Sequence, residues 1–228
     1  MAYGSKKVVI PPAEPPTSND VLKLFHSFRG IYWFNNNWKA VDTIEVTLDG
    51  TGGITWDTSF IALKTGTTSA SSALVDKDLY KYRENAEIAT WEKIRRVRIN
   101  IDSTGITEQV IHVVSGAIGP AGDVANPYEH IGFKQINDVL YATVADGTTE
   151  KAVAIKTLTG AWKADLEAIL FPGGKCEFYI DGVLAATITT NLPTGTSSAY
   201  QLFRANIYNT EAAQKVLYIP EVSVLQEE

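Results

Sequence analysis

Hydrophobic residues recur at every second position in several stretches of this chain, and this period is the feature that most limits its fold. The stretch 44–49 reads Ile-Glu-Val-Thr-Leu-Asp, and 95–103 reads Arg-Arg-Val-Arg-Ile-Asn-Ile-Asp-Ser. A period of two is typical of a β-strand with one buried and one solvated face. Clusters of Gly, Ser, Thr and Asn, as at 65–72 and 194–198, separate the strands, and no helices alternate with them. The pattern predicts a β-sandwich or a barrel.

One predicted hairpin can be placed by its register. If Asn137 and Asp138 form a two-residue turn, the residues of 131–136 face those of 139–144 one by one. One face of the pair then collects only apolar side chains. These are Ile131, Phe133, Leu140, Ala142 and Val144. The register therefore predicts a strand pair with this face in the core.

A second predicted hairpin turns at Asp181 and Gly182, between strands over 175–180 and 183–188. Both faces of this pair carry apolar residues. We therefore expect the hairpin either to lie centrally in its sheet or to place one face against another subunit. The segment 162–170 is compatible with a helix, but the Phe-Pro-Gly-Gly sequence after it and its β neighbours favour a strand.

The first twenty residues differ from the rest of the chain. Four of the nine prolines are clustered here: Pro11, Pro12, Pro15 and Pro16. Such a run favours an extended polyproline II path, and we expect residues 1–17 to form an arm held against the domain or against a neighbouring subunit. Residues 18–20 resemble a helix N-cap, and apolar residues at helical spacing lead to Gly30, which predicts one short helix. Residues 18–228 are expected to form one domain.

Composition excludes several classes of protein. Of the 228 residues, 45% are hydrophobic and 20% are charged, which is too apolar for a chain that is disordered throughout. The 20 Lys and Arg residues against 26 Asp and Glu give a net charge of −6, which argues against a nucleic-acid partner. The single cysteine, Cys176, permits no internal disulfide. No stretch has the pattern of a signal peptide or a membrane span, so no membrane partner is expected.

The C-terminal half resembles the concanavalin A-like lectin/glucanase (LamG-like) jelly rolls. The stretches that carry the resemblance are 131–134, 140–148, Trp162 with 166–193, and 216–225. The third contains Phe-Tyr-Ile-Asp-Gly-Val-Leu-Ala-Ala-Thr and a downstream Asn-Leu-Pro. Domains of this kind recur in virion and tail proteins of bacterial and archaeal viruses. The resemblance implies an all-β fold: a two-sheet antiparallel jelly-roll sandwich, here with an extended N-terminal arm and one short helix.

Glycosidases of this superfamily place two or three carboxylates on alternate positions of one strand. No such triplet occurs in this chain. Asp165 and Glu167 share a face but stand alone, and Glu87 and Glu92 lie five residues apart, on opposite faces of a strand. A hydrolase of this type is therefore not expected.

Alginate-lyase-like jelly rolls use an arginine strand, a Gln-x-His strand and a late tyrosine. This chain has Arg83, then Gln109 with His112, then Tyr208, in the matching order. The spacing departs from the family, because residues three apart in a regular strand point to opposite faces. A polysaccharide lyase using Arg83, His112 and Tyr208 is therefore a minor alternative.

A glycan-binding site needs aromatic faces with amides or carboxylates beside them. The stretch 31–38, Ile-Tyr-Trp-Phe-Asn-Asn-Asn-Trp, contains both. Its candidate glycan contacts are Trp33, Asn35, Asn37 and Trp38. Packing in the core or at an interface is the alternative for so aromatic a stretch.

Two turns contain carboxylates that could ligate calcium, 49–53 and 146–147, although such sequences are more often plain turns. The chain has no phosphate-binding loop, no Cys/His metal spacing and no Ser/His/Asp constellation. We therefore expect no cofactor, and neither turn is assigned a metal.

The basic stretch 93–98 is divided by the strand alternation. Arg96 and Arg98 fall on the wet face and Arg95 on the opposite one. A solvated strand face or ion pairs between subunits account for it better than nucleic acid does.

The resemblance, the arm and the missing catalytic constellation favour a non-enzymatic structural protein of a virus particle, associated with the capsid or the tail. It would be made in the host cytoplasm and located in the virion. Its partners would be further copies of itself and other virion proteins, with the arm covering a sheet edge of a neighbour. The alternatives are a glycan-binding module for host-surface glycans and, third, the lyase.

Overall fold

The computed structural model describes residues 21–22, 44–49, 53–56, 61–78, 90–120, 122–199 and 201–227. These residues form fifteen β-strands and no α-helix. The predicted arm and the candidate glycan contacts Trp33, Asn35, Asn37 and Trp38 lie outside the described residues. The predicted boundary between residues 17 and 18 therefore stays a prediction.

Within the described residues, no helix intervenes between the strands. In chain order they are β1 (Val21–Leu22), β2 (Ile44–Asp49), β3 (Gly53–Trp56), β4 (Ile61–Lys64), β5 (Ser72–Asp78), β6 (Arg95–Ser103), β7 (Gln109–Gly116), β8 (His130–Ile136), β9 (Val139–Ala145), β10 (Glu150–Thr157), β11 (Trp162–Phe171), β12 (Lys175–Ile180), β13 (Val183–Ile188), β14 (Gln201–Asn209) and β15 (Val216–Glu227). The segment predicted as a strand at 162–170 is thus confirmed as β11.

All pairings are antiparallel and produce two sheets. The eight-stranded sheet has the order β13-β12-β11-β6-β15-β4-β3, with β1 beside β15 as its eighth strand. The seven-stranded sheet has the order β10-β9-β8-β7-β14-β5-β2. One core cluster draws on both sheets, which confirms the predicted two-sheet antiparallel sandwich.

The core forms from the alternation seen in the sequence. The apolar residues of β6 are buried, while Arg96 and Arg98 between them are exposed. Phe133 of β8 and Phe178 of β12 meet edge to face across the two sheets, with ring centroids 5.5 Å apart. Burying one such side chain contributes about 2 kcal/mol, so alternation over many strands supplies the main stabilisation.

The hairpin at Asn137–Asp138 has the register predicted from the sequence. Phe133 pairs with Ala142, and Ile131 pairs with Val144. All five residues of the predicted apolar stripe are buried. Pattern and turn chemistry together were sufficient to fix this strand pair.

The hairpin of β12 and β13 has the predicted turn but not the central position that the sequence allowed. Asp181 and Gly182 have φ of 51° and 79°, as a type I′ turn requires. However, β13 is the last strand of its sheet. Its apolar residues Val183 and Leu184 are 70% and 52% exposed. Contact with another subunit is the alternative that remains.

The short helix predicted after Ser18 is wrong where the structure tests it. Val21 and Leu22 pair as a strand with Glu227 and Gln226 of β15. Because β4 borders only the first part of β15, the last part would otherwise present unpaired backbone groups, which a strand satisfies and a helix does not. The rest of that predicted helix lies outside the described residues.

Arg95 points between the sheets, as the alternation predicted. Its Nη1 donates to Ser115 Oγ (3.3 Å), and its Nη2 donates to Ala199 O (2.8 Å) and Gln226 Oε1 (3.0 Å). The guanidinium lies over the ring of Trp91, 4.2 Å from its centroid. Burial lowers the pKa of Arg95 to about 9. This side chain links strands of both sheets to the last strand of the chain.

Gly116, at the end of β7, provides a test of the fold. It has a φ of 111°, and a Cβ built on it would lie 2.3 Å from the carbonyl oxygen of Glu129. We expect Gly116→Ala to lower the free energy of unfolding by about 3 kcal/mol or more. Gly160 has a similar φ of 93° but no atom within 4 Å, so Gly160→Ala should cost about 1 kcal/mol. Urea denaturation measures both, and equal losses would contradict the steric argument.

Candidate functional site

Strand β7 is buried on both faces, unlike β6. Ile111 and Val113 belong to the core, so the residues between them face away from the eight-stranded sheet. On this outer face Val110, His112 and Val114 are nevertheless at most 4% exposed. The outer face of the seven-stranded sheet is therefore covered at β7.

One segment that covers this face consists of residues 117–120 and 122–129, which we call the roof. A backbone hydrogen bond of 2.9 Å between its first and last residues closes it. Gly122 packs on the ring of Tyr208 in β14, and a Cβ built there would lie 2.9 Å from the ring. A glycine at this position lets the roof approach the sheet.

Four neighbouring strands bring four side chains into one line across the outer face, which we call the polar row. Its members are Cα partners in register: Asn206 of β14, His112 of β7, Lys134 of β8 and Tyr141 of β9. These residues are far apart in the sequence, and the order of the strands in the sheet brings them together.

Lys134 fastens the roof to the sheet. Its Nζ donates to Val124 O (2.8 Å) and to Glu150 Oε2 (2.6 Å). The Glu150 carboxylate also accepts from Asn126 N (3.0 Å) and Thr143 Oγ1 (2.6 Å). Burial raises the pKa of Glu150, but these hydrogen bonds outweigh burial, and the pKa lies below its ordinary value. Both charged groups of this buried ion pair are engaged within the protein, where they hold the roof against the sheet.

The other half of the polar row is left incomplete. Asn206 Oδ1 lies 3.1 Å from both the backbone N and the ring Nδ1 of His112. Because a backbone N–H can only donate, the amide oxygen must face it, and Nδ1 therefore carries the proton that it shares with this oxygen. His112 Nε2 is left as an acceptor and Asn206 Nδ2 as a donor, and neither has a hydrogen-bond partner in the described part of the chain.

The His112 ring is neutral at pH 7. Burial lowers its pKa to about 4, against a smaller opposite effect of the hydrogen bond with Asn206. A hydroxyl group can donate to a bare acceptor such as Nε2 and can accept from a free donor such as Nδ2. Leaving such buried groups unmatched costs about 1–3 kcal/mol each. This pair is therefore the strongest candidate for a ligand contact in the described residues.

Aromatic and basic side chains surround the pair. Tyr208 and Tyr141 are half-buried on the same outer face, and Tyr128 of the roof is 48% exposed. Arg204 of β14 donates through Nη1 to Ile118 O of the roof at 3.4 Å. Hydrogen-bonding groups thus lie beside ring faces, which is an arrangement suited to a polyhydroxylated ligand.

The residues proposed for a lyase are only partly brought together. Gln109 faces the core, where its Nε2 donates to Ser103 Oγ at 3.2 Å, and His112 faces away, as their spacing predicted. Tyr208 shares the outer face with His112 on the neighbouring strand. Arg83 lies outside the described residues. A Gln–His pair is thus not formed, and a histidine of such low pKa is a weak general base.

The two carboxylates of β11 are engaged in ion pairs. Asp165 accepts hydrogen bonds from Arg98 Nε at 2.9 and 3.0 Å, and Glu167 pairs with Arg96. The hydrogen bond and charge of Asp165 raise the pKa of Arg98. These pairs lie within one chain on the solvated face of the eight-stranded sheet, in agreement with the solvated strand face expected from the sequence.

Of the two turns with carboxylates that could ligate calcium, the structure describes 146–147 in full. Asp146 Oδ1 accepts from the backbone N of Thr148 and of Thr149, each at 2.9 Å, so 146–147 is a turn. The other candidate, 49–53, is incompletely described. No group of three or more His, Cys, Asp and Glu side chains that could hold a metal occurs in the described residues. The same residues contain no helix long and apolar enough to cross a bilayer.

No protein-family model and no curated protein matches the sequence. Solved structures do match the fold. A protein of unknown function from Shewanella oneidensis MR-1 aligns with a TM-score of 0.57 at 12% identity, over 81% of this chain and 79% of its own. The potassium-bound carbohydrate recognition domain of Emp46p aligns at 0.56 and 8% identity, over 87% and 95%. The binding domain of botulinum neurotoxin serotype C1 aligns at 0.52 and 11% identity, over 79% and 43%.

At such low identities the likeness shows the fold alone. The sandwich is of the kind found in a carbohydrate recognition domain, which agrees with the resemblance to concanavalin A-like lectins. The chain spans less than half of the toxin binding domain. None of the three structures is described as a virion protein.

The sequence pattern singles out His112 and Tyr208 but not Asn206 or Lys134. Each is a polar residue at an outward position of an otherwise apolar strand, which is a weak signal. Asn206 lies 94 positions from His112 in the sequence. Only the strand order β8-β7-β14 makes Lys134, His112 and Asn206 neighbours. Without that order no spacing rule could have joined them.

Protonation of His112 should oppose folding. Its pKa is about 4 in the folded protein, whereas a histidine in an unfolded chain has a pKa of about 6.5. As the pH falls from about 6.5 to about 4, the unfolded chain takes up a proton that the folded chain does not, and the free energy of unfolding falls by up to about 3 kcal/mol. His112→Phe should remove this loss. Urea titrations of both proteins over this range measure it, and parallel pH profiles would contradict the assignment.

Proposed function

We propose that this protein is a non-enzymatic glycan-binding module whose ligand contacts lie on the outer face of the seven-stranded sheet. The observation that carries the proposal is the unmatched acceptor–donor pair of His112 Nε2 and Asn206 Nδ2. The fold, shared with a carbohydrate recognition domain, supports it.

The chemistry of the pair favours a sugar hydroxyl. A hydroxyl group both donates and accepts, so hydroxyls can satisfy either atom, whereas a carboxylate could only accept and an ammonium group could only donate. The ring of Tyr141, and that of Tyr208 once Gly122 of the roof moves off it, can provide apolar surfaces for the C–H groups of a sugar ring. A polyhydroxylated ligand therefore fits this surface better than an anion or a cation does.

Access to the pair depends on the roof. His112 and Asn206 are at most 1% exposed, so a sugar reaches them only when the roof moves. The roof is held by hydrogen bonds from Lys134 and Arg204, and it carries the exposed Tyr128 at its surface. We propose that Tyr128 makes the first contact with the ligand and that the pair is reached afterwards.

A binding role suits these residues better than catalysis. His112 is a weak base because burial depresses its pKa, and Asp165 and Glu167 are tied to arginines. Neither the general acid–base pair of a glycosidase nor the Gln–His strand of a lyase is assembled from the described residues.

A glycan array, followed by calorimetric titration of its best oligosaccharide, tests the proposal. His112→Phe and Asn206→Leu should each weaken binding by more than about tenfold, since each removes a hydrogen bond to the hydroxyl. Gln109→Leu is the matched control: it lies on the same strand but faces the core, and it should leave the affinity unchanged. An array without saturable binding, or a crystal structure in which only an ordered water joins the pair, would overturn the proposal.

The aromatic stretch 31–38 remains a predicted second contact region. If it forms the main site, Trp38→Ala abolishes binding while His112→Phe leaves it intact. Measuring both variants with one oligosaccharide therefore distinguishes the two locations.

A second candidate function is that of a structural protein of a virus particle, located in the virion and assembled from its own copies and other virion proteins. The resemblance and the exposed edge strand β13 favour it. Here the arm of residues 1–17 docks on a neighbouring subunit. Deleting the arm should leave the melting temperature of the domain within a few degrees of the full chain but abolish higher-order assembly, as measured by light scattering. Unchanged assembly would exclude this role for the arm.

A further inference from the structure

The free edge strand β13 lacks most of the features that keep sheet edges from pairing. The corresponding edge of the other sheet, β10, carries Lys151 and Lys156. In contrast, β13 reads Val-Leu-Ala-Ala-Thr-Ile, without a charge or a proline. An uncharged edge of this kind is a template for another strand.

The register of β13 shows which backbone groups point outward. Val183 pairs with Ile180 beside a two-residue turn, so its N–H and C=O point to β12, and those of Leu184 point away. A bulge then adds one residue before Ala186. The N–H and C=O of Ala186 therefore point to β12 again, and those of Thr187 point away from it. No described strand pairs with this edge.

We propose that β13 pairs antiparallel with β13 of a second copy of this chain, about a two-fold axis between Ala185 and Ala186. Leu184 then faces Thr187 of the second copy, and each such pair exchanges two backbone hydrogen bonds. The two eight-stranded sheets become one continuous sheet. Because both chains use the same strand, the contact closes at two copies and does not propagate.

The side chains favour a second copy as the occupant. The small residues Ala185 and Ala186 meet at the axis, where they allow close approach, and Val183 faces Ile188 of the second copy. Two residues of this hairpin, Ile180 and Ala186, are partly buried hydrophobic residues that pack against the core. The edges of the seven-stranded sheet, β10 and β2, carry charged residues, so they fit β13 less well than β13 itself does.

The dimer is independent of the glycan proposal, since β13 lies in the other sheet from the polar row. If both hold, each dimer presents two glycan sites, and binding to a multivalent surface is strengthened by avidity. If the glycan site fails its own test, the dimer is unaffected.

Sedimentation equilibrium over a concentration series tests the dimer on the full chain. The double variant Leu184→Lys/Thr187→Lys places lysines opposite each other in both pairs, and the dimer dissociation constant should rise by more than about tenfold. The variant Leu184→Glu/Thr187→Lys places opposite charges in the same pairs and should restore dimerisation. Both side chains are exposed in the single copy, so the melting temperatures should stay close to that of the wild type.

Lys151→Glu on β10 is the control for a change of charge near the edge, and it should not alter dimerisation. A wild-type chain that is monomeric throughout the series overturns the proposal. So does a lysine double variant that dimerises like the wild type. Failure of the Glu/Lys variant to recover, with the lysine variant monomeric, would overturn the register.

Discussion

Each strand must bury its apolar face away from water, and the rest of the structure depends on this constraint. Two sheets meet over their apolar sides, and the alternation of β6 shows how directly the sequence meets that demand. Arg95 is the costly exception inside the sandwich, because a buried guanidinium has to be supplied with acceptors. Ser115, Ala199 and Gln226 supply them to Nη1 and Nη2 from separate parts of the chain, while Nε has no hydrogen-bond partner in the described residues. The two sheets are therefore fixed relative to each other by a polar contact as well as by the core.

On the seven-stranded sheet, the outer face is buried in part as well as the face that packs on the core. A face of this kind is normally wet, yet the roof covers it and leaves His112 and Asn206 dry. One half of the polar row, Lys134 with Glu150, is matched within the protein, while the other half is not. An unmatched buried pair weakens the fold, and the hydroxyl groups of the proposed glycan ligand would supply its missing partners.

Local features were predictable from the sequence, and long-range neighbours were not. The Asn137–Asp138 hairpin, the strand at 162–170 and the inward position of Arg95 follow from alternation and turn chemistry. The position of β13 at an edge could not be derived, because a strand with two apolar faces suits both the centre of a sheet and an interface. Likewise, nothing in the sequence places Asn206 beside His112, since strand order depends on packing across the whole chain.

The position of β15 has a consequence for synthesis. This last described strand is inserted between β6 and β4 and also borders β1, so the eight-stranded sheet has no continuous centre without it. Residues 216–227 must therefore leave the ribosome before that sheet can close. Until then, the edges of β6 and β4 that β15 will pair with stay open. Such a topology, rich in contacts between distant residues, is expected to fold slowly.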